Sequence, residues 1–445
     1  MLTFVRTRLL DSARTRRLAS APRSLTLPLA GALLGLTGAI AGSLAAAPLA
    51  AQGAPTVVPT VVLTHANVVD GVSATVLRDA TLILTGGRIQ RIGTGLAVPA
   101  GATVIDLAGR WVAPGMIDAH THIATLANAR RALFSGVTTV RSASVPHYED
   151  VAMREMARAG QIVAPDFLAT GVFVTPTLGE TILADPRLGA LAGGVTTPEQ
   201  LRAVVRVNLD HGVDWIKTRG TERAGLPDTD PRQQVYDEAQ LRAIVEEAAT
   251  RGVPVMAHAH GDEGAYAAVA AGVKSIEHGT YLSDSTLRLM KQKGTWFVPT
   301  LSTMVDLTQP GGDYDDPVLV LRGQHMAPRI EETIRRARAM GIRIVTGADT
   351  DYGPEGLTRI AHEIMRFRAL GMTPQEALAS GTSAAAELLG VGARTGRVTE
   401  GYEADLIVLD GNPLDDVATL QDVLVVITNG RVVLNRLPFG RTGAR

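Results

Sequence analysis

Two histidines, His120 and His122, close an apolar run that opens at Val112, with Asp118 just before them. On a strand, residues i and i+2 project from one face. Both imidazoles therefore reach one metal ion from the strand's C-terminal end. Imidazole suits zinc and its transition-metal neighbours. Alone, such a pair is as compatible with surface or core histidines as with a metal site. Further ligand-type residues recur downstream: Lys217 after Asp214, His258 and His260 in one short run, then His278 and Asp349. Each has an ordinary alternative. Lys217 can form a rim ion pair, His278 can be a satisfied core histidine, and Asp349 can cap the helix that follows.

The elements that must position these residues show a regular alternation. Apolar or β-branched runs cover 111–122, 137–142, 167–172, 214–218, 254–260, 275–279, 295–300 and 343–349. Between them lie helical patterns, among them 199–211, 237–251, 284–293 and 329–340. Glycine closes several helices before the next strand, at Gly252, Gly272, Gly294 and Gly341. Eight β–α alternations across 112–390 predict an α/β chain folded as a (β/α)8 TIM barrel. A doubly wound open sheet usually needs fewer strands, and no glycine-rich dinucleotide loop is present. In a barrel, the C-terminal strand ends carry the chemistry. Five strands delivering ligand-type residues to that one end favour a metal site over the separate ordinary readings.

Two β-rich pieces flank this middle. Residues 56–111 hold short strand patterns at Val61–Leu63, Thr81–Leu84 and Arg88–Ile92, broken by Gly86-Gly87. Residues 391–435 repeat the texture, with Asn429-Gly430 between two apolar runs as a hairpin signal. The two ends predict one small sheet domain with the middle inserted between them.

Composition narrows the chemistry. The 445 residues have 46% hydrophobic content and a net charge of -1, so neither disorder nor nucleic-acid binding is indicated. With no cysteine, disulfides, thiolate metal sites and a cysteine nucleophile are excluded. Any metal must be held by His, Asp, Glu or a lysine-derived ligand. Residues 1–51 read as an export signal: six arginines up to Arg23, an apolar stretch from Leu25 to Ala47, then small residues around Ala50-Ala51. The expectation is a periplasmic or secreted protein, free of the membrane after cleavage. An uncleaved anchor is the alternative, since the stretch is long enough to span.

With these residues in hand, the chain resembles the amidohydrolase superfamily of metal-dependent hydrolases. Within it, the similarity is to the imidazolonepropionase-like branch that holds Xaa-Pro and Xaa-Arg dipeptidases and ochratoxin amidohydrolases. The marks are Ala113-Pro-Gly-Met-Ile-Asp-Ala-His-Thr-His122, Trp215-Ile-Lys217, Ala257-His-Ala-His-Gly261, Ile276-Glu-His-Gly279, Gly347-Ala-Asp349 and Gly401-Tyr-Glu-Ala-Asp-Leu406. They cover about residues 60 to 435. The resemblance implies a barrel beside a small β-sandwich built from both chain ends.

It also implies a binuclear centre of two divalent ions, Zn2+ foremost. His120 and His122 would hold one ion, His258 and His278 the other. Lys217, carbamylated by CO2, would bridge them, because an unmodified ammonium would repel the metals. Asp349 would touch the buried ion, act as general base and later protonate the leaving amine. Two ions roughly 3.5–4 Å apart lower the pKa of a bridging water and polarise the scissile carbonyl. By parity His258 and His260 share a strand face, and the superfamily pattern selects His258, leaving His260 to a supporting or substrate contact. Tyr281 matches a tyrosine that polarises the substrate carbonyl in related dipeptidases.

The implied partner is a small dipeptide or N-acyl amino acid, cleaved at its amide bond. A free carboxylate needs an arginine near the mouth, and Arg141, Arg219 and Arg223 follow the second and fourth strands. One departure bears on substrate. Where related dipeptidases carry Gly-Gly-His, this chain reads Thr170-Gly-Val-Phe-Val-Thr-Pro-Thr-Leu-Gly179, with no histidine. His147 is the candidate to compensate, and Phe173, Val174 and Leu178 predict a more apolar pocket. Residues 302–328 read as a long loop after the seventh strand, a lid or a structural linker. Cyclic-amide hydrolysis is the nearest rival, against which Lys217 argues. Phosphotriester or lactone hydrolysis and a non-catalytic scaffold are further alternatives. Assembly as a homo-oligomer is left open.

Overall fold

The computed structural model describes residues 59–309, 316–356 and 358–437. The expected export signal lies outside the described residues. Among the described residues, no helix is long and apolar enough to cross a membrane.

Along the chain, β1 (Val61–Val69), β2 (Val76–Thr85), β3 (Arg88–Gly93), β4 (Thr103–Asp106) and β5 (Trp111–Pro114) come first. The middle holds β6 (Met116–Thr121), β7 (Val137–Ser142), β8 (Asp166–Leu168), β9 (Ile216–Arg219), β10 (Val255–Ala259), β11 (Ser275–His278) and β12 (Trp296–Val298). Last come β13 (Leu406–Leu409), β14 (Val425–Thr428) and β15 (Arg431–Asn435). The helices between them are α1 (Leu126–Phe134), α2 (Glu149–Arg158), α3 (Pro198–Asp210), α4 (Glu238–Ala249), α5 (Asp262–Ala271), α6 (Asp284–Lys293), α7 (Leu301–Asp306) and α8 (Pro317–Ala339), and three more follow α8.

Both chain ends meet in one eight-stranded sheet, ordered β15-β14-β13-β5-β1-β2-β3 with β4 against β1. The join is the antiparallel pairing of β5 with β13, which puts Ala113 opposite Ile407. The expected hairpin joins β14 to β15. Asn429 and Gly430 sit at φ 48° and 73°, the left-handed pair that a tight two-residue turn requires.

The middle contains two parallel sheets, β6-β7-β8 and β12-β11-β10-β9. Every residue of β6, β7, β9, β10, β11 and β12 is buried. That is why these strands read as continuous apolar runs rather than alternating ones. Segments outside the regular strands, around Val174 and along 343–349, link the two sheets by backbone bonds. Val174 N donates to Lys217 O at 2.9 Å, Phe297 N to Arg343 O at 2.9 Å, and Asp349 N to His120 O at 2.8 Å.

Three expectations are corrected. The first run, 111–122, is two strands rather than one. It breaks at Gly115, where a Cβ would lie 2.2 Å from Thr138 Oγ1, so the chain leaves the end sheet through a position only glycine fits. The eighth run, 343–349, forms no regular strand: Ile344 makes an isolated bridge to β12, and Thr350, just past the run, makes one to β6. The described parts of 302–328 are mostly helical, in α7 and α8. The proline at Pro317 starts α8 at its first turn, where the missing N–H costs nothing, and Pro328 sits inside the helix without ending it.

Candidate active site

The strand ends bring the predicted residues together. His120, His122 and Asp349 form one group of possible ligands, and His258, His260 and His278 form a second. Within each group, one donor atom per residue lies within 4.8 Å of the others. Asp349 Oδ1 is 3.3 Å from His120 Nε2 and 3.2 Å from His122 Nε2, while its Oδ2 is 3.8 Å from His278 Nδ1. Lys217 is buried, with Nζ 3.4 Å from His120 Nε2. The carboxylate thus spans both groups, and the lysine reaches one of them directly.

Each ring is oriented by a partner at one of its nitrogens. His120 Nδ1 is 2.7 Å from Glu277 Oε2, and His122 Nδ1 donates to the Ser144 carbonyl at 3.0 Å. His260 Nδ1 is 2.9 Å from Thr280 Oγ1, and His278 Nδ1 is 2.7 Å from Thr300 Oγ1. His258 Nε2 donates to the Glu222 carbonyl at 2.9 Å. Such outer contacts fix tautomer and ring direction at metal sites. His278 and Asp349 adopt φ of 72° and 49°, left-handed values that non-glycine residues hold only where the surroundings enforce them.

Electrostatics suit cation binding. Burial holds His258 and His278 well below the usual imidazole range, and His260 at about 3, so the rings are neutral, as ligands must be. Burial alone would raise the Asp349 carboxyl, but the charge of His120 and hydrogen bonds from His120 and His122 hold it well below the carboxylate range. Lys217 is lowered to about 8, chiefly by burial, against the opposing pull of Glu277 and Asp349.

Two carboxylates that had no assigned role support the site from beneath. Glu277 has no solvent exposure and takes Arg141 Nη2 at 3.0 Å beside its contact to His120. Arg141 and the nearby imidazole hold it at about 2 against a desolvation penalty that would otherwise dominate. Asp118, also buried, accepts from His120 N at 3.1 Å, Ala348 N at 2.9 Å and the Tyr352 hydroxyl at 2.8 Å. Burial raises it to about 6 despite these bonds. Its oxygens tie the strand of His120 to the segment that presents Asp349. The signal for both was their position inside the histidine motifs, Glu277 next to His278 and Asp118 two before His120.

The site floors a cavity of about 540 Å³ whose walls include Phe173, Leu178, Met304, Leu307, Arg219 and Arg223. Arg219 is almost buried, pairs with Glu222 at 2.9 Å, and leaves its Nε without a hydrogen-bond partner. Arg141 is not at the mouth as expected. It is fully buried and spends its donors on Glu277, the Ala119 carbonyl and Ser275. His147 and Tyr281 are also absent from the described residues lining this cavity. His147 is exposed with Glu149 3.5 Å away, and the Tyr281 ring faces His325 at 6.2 Å.

Residues 111–433 match the amidohydrolase family model. The chain belongs to the amidohydrolase family. It is similar to the ochratoxinase of Aspergillus niger, 29% identical over 388 residues, covering 78% of this chain and 80% of that one. It is also 29% identical to an imidazolonepropionase of Chromobacterium violaceum, over 75% of this chain and 86% of that one. Among solved structures, a putative prolidase from Bifidobacterium longum is 34% identical with a TM-score of 0.75, covering 85% of this chain and 95% of that one. A Xaa-Pro dipeptidase with methionine bound in its active site is 26% identical with a TM-score of 0.75, covering 84% and 100%. These likenesses agree with the resemblance read from the motifs, and give this amidohydrolase a TIM-barrel-type α/β fold. Membership makes the chain a hydrolase of the type acting on carbon–nitrogen bonds, in a family that typically uses divalent metals.

Proposed function

We propose that this amidohydrolase cleaves the amide bond of a small dipeptide or N-acyl amino acid with the help of two divalent ions, Zn2+ foremost. The observation that carries the reading is the meeting of two three-donor groups around a buried lysine on the floor of a cavity walled by two arginines. The architecture proposed with it is a (β/α)8 barrel over 112–390 beside a β-sandwich from 56–111 and 391–435. Export through residues 1–51 is proposed from the sequence alone.

The donor set fits the ions. The neutral imidazoles of His258, His260 and His278 and the ionised carboxylate of Asp349 are ligands of the kind zinc takes. In this reading His120 and His122 would hold one ion, His258 and His278 the other. Lys217 would serve both once its neutral amine attacks the carbon of CO2 and loses a proton, forming a carbamate. That step exchanges a repelling cation for a bidentate anion. Burial favours it by raising the neutral fraction near pH 8. When bound, two ions supply Lewis acidity that lowers the pKa of water and polarises a carbonyl.

The remaining work falls to the chain. Arg219 and Arg223 receive the substrate carboxylate, Arg219 with an unspent buried Nε. Phe173, Leu178, Met304 and Leu307 pack the apolar part and exclude water. Asp349, ionised at rest, accepts a proton from the attacking water and delivers it to the departing amine.

The test is metal content in wild type and Lys217→Ala, followed by hydrolysis of a panel of dipeptides and N-acyl amino acids. About two equivalents that fall sharply in the variant support the reading. One equivalent unaffected by the substitution overturns it in favour of mononuclear chemistry on cyclic amides.

A further inference from the structure

The cavity has two walls from distant parts of the chain, and one helix touches both. The first wall is the loop after β9, where Arg223, Ala224 and Leu226 line the cavity. The second is α7 with its C-cap, which contribute Met304 and Leu307 respectively. Adjacent residues of α8 grip each wall. Gly323 lets α8 lie against α7 so closely that a Cβ there would be 2.7 Å from Leu307 Cβ and 3.2 Å from Met304 O. Arg322, half-buried, turns to the other wall. Its Nη1 donates to the carbonyls of Ala224 and Leu226, both at 2.6 Å, and its Nη2 to those of Pro227 at 3.2 Å and Thr229 at 2.6 Å.

We propose that Arg322 is a positioning residue that sets substrate affinity by clamping the 222–229 loop to α8, an inference that rests on the amide-hydrolase reading of the same cavity. Four carbonyls around one guanidinium form a receptor that no other side chain can fill. Lysine carries the charge but lacks the planar fork of donors. The loop so held has three duties. The Glu222 carbonyl orients the His258 ring, the Glu222 carboxylate pairs with Arg219, and Arg223 to Leu226 form the wall. Arg322 touches neither substrate nor candidate ligand, and Glu222 is held separately by its N–H to the Gln233 carbonyl at 3.0 Å, so removing Arg322 loosens the wall while His258 and the rest of the floor stay in place.

Full-length, metal-loaded protein carrying Arg322→Ala and Arg322→Lys decides the matter. Hydrogen exchange reads the loop without any substrate: amides of 222–230 lose protection in both variants, while those of β10 and α6 keep theirs. N-benzoyl-L-leucine and L-leucyl-L-phenylalanine serve as kinetic probes. The expected pattern is KM raised by about tenfold with kcat changed by less than about threefold, the mark of lost ground-state binding. Millimolar guanidinium restores KM in Arg322→Ala, whereas sodium chloride at equal ionic strength does not. Unchanged exchange in 222–230, or a loss confined to kcat, overturns the clamp. General unfolding of Arg322→Ala with a fully native Arg322→Lys also overturns it, because the charge alone would then suffice. If wild type cleaves neither probe, the substrate reading fails while the exchange result still decides the clamp.

Discussion

Glu277 Oε2 lies 2.7 Å from His120 Nδ1, and neither side chain has more than 1% exposure. The same carboxylate is bound by the wholly buried Arg141. A buried carboxylate–guanidinium pair with an imidazole attached costs desolvation and stays in place because its members satisfy one another. Here it points the opposite nitrogen of His120 at Asp349 and Lys217.

Glu277→Gln keeps the shape and removes the charge. The substitution is expected to weaken metal binding by about 10–100-fold, the usual cost of losing such an outer partner. It also strands the Arg141 guanidinium, at about 3–5 kcal/mol. Competition with a chelator and thermal unfolding measure the two effects separately. A variant that binds metal like wild type would show that His120 needs no such anchor.

His258 and His260 lie with their rings 4.8 Å apart, the first edge-on to His278 at 4.4 Å and the second stacked on it at 4.7 Å. His258→Ala is expected to lose about one of the two metal equivalents. His260→Ala should keep both and lose about 10²-fold in kcat/KM, within the range for a group acting on proton transfer or positioning. Metal analysis of both variants checks the assignment, and the opposite pattern would exchange their roles.

Arg219→Ala is expected to raise KM for substrates with a free carboxylate by about 10–100-fold, matching the roughly 1.5–3 kcal/mol of a charged hydrogen bond. Substrates whose carboxylate is amidated should be indifferent to the change. Parallel kinetics on the two series provide the comparison. Equal losses on both would move the carboxylate contact elsewhere.

Carbamate formation needs the neutral amine, and burial lowers Lys217 to about 8. The neutral fraction therefore grows as pH rises through that value. Chelated protein given Zn2+ and bicarbonate is expected to regain activity severalfold faster at pH 8.5 than at pH 6.5. Bicarbonate should be required at both. Recovery that ignores pH and bicarbonate would remove the carbamate from the mechanism.

Much of this was legible in the chain. His120, His122, Lys217, His258 and His278 lie within or just past buried parallel strands, which leave continuous apolar runs that turn abruptly polar, and Asp349 closes an apolar run that the structure leaves irregular. Asn429-Gly430 announced its hairpin for a purely local reason. What could not be read depended on partners far apart. Arg141 looks like a mouth residue until Glu277, 136 positions away, is seen to claim it. The break at Gly115 depends on Thr138 crossing beneath it. The second half of α8 was legible as the helical pattern 329–340, but its first half was hidden because proline usually punctuates, whereas Pro317 begins this helix and Pro328 is tolerated within it.

The pairing of β5 with β13 has a consequence for biosynthesis. The histidine-bearing β6 starts just past β5, and Gly115 N donates to the carbonyl of Asp405, which the ribosome makes long after His120 and His122. Asp349 is also a late arrival. The first two candidate ligands thus emerge on a strand whose anchor does not yet exist, and the complete set assembles only as synthesis nears its end. On the metal-dependent reading, ion capture becomes a closing event in maturation, and a chain stopped before Leu406 is expected to purify without metal.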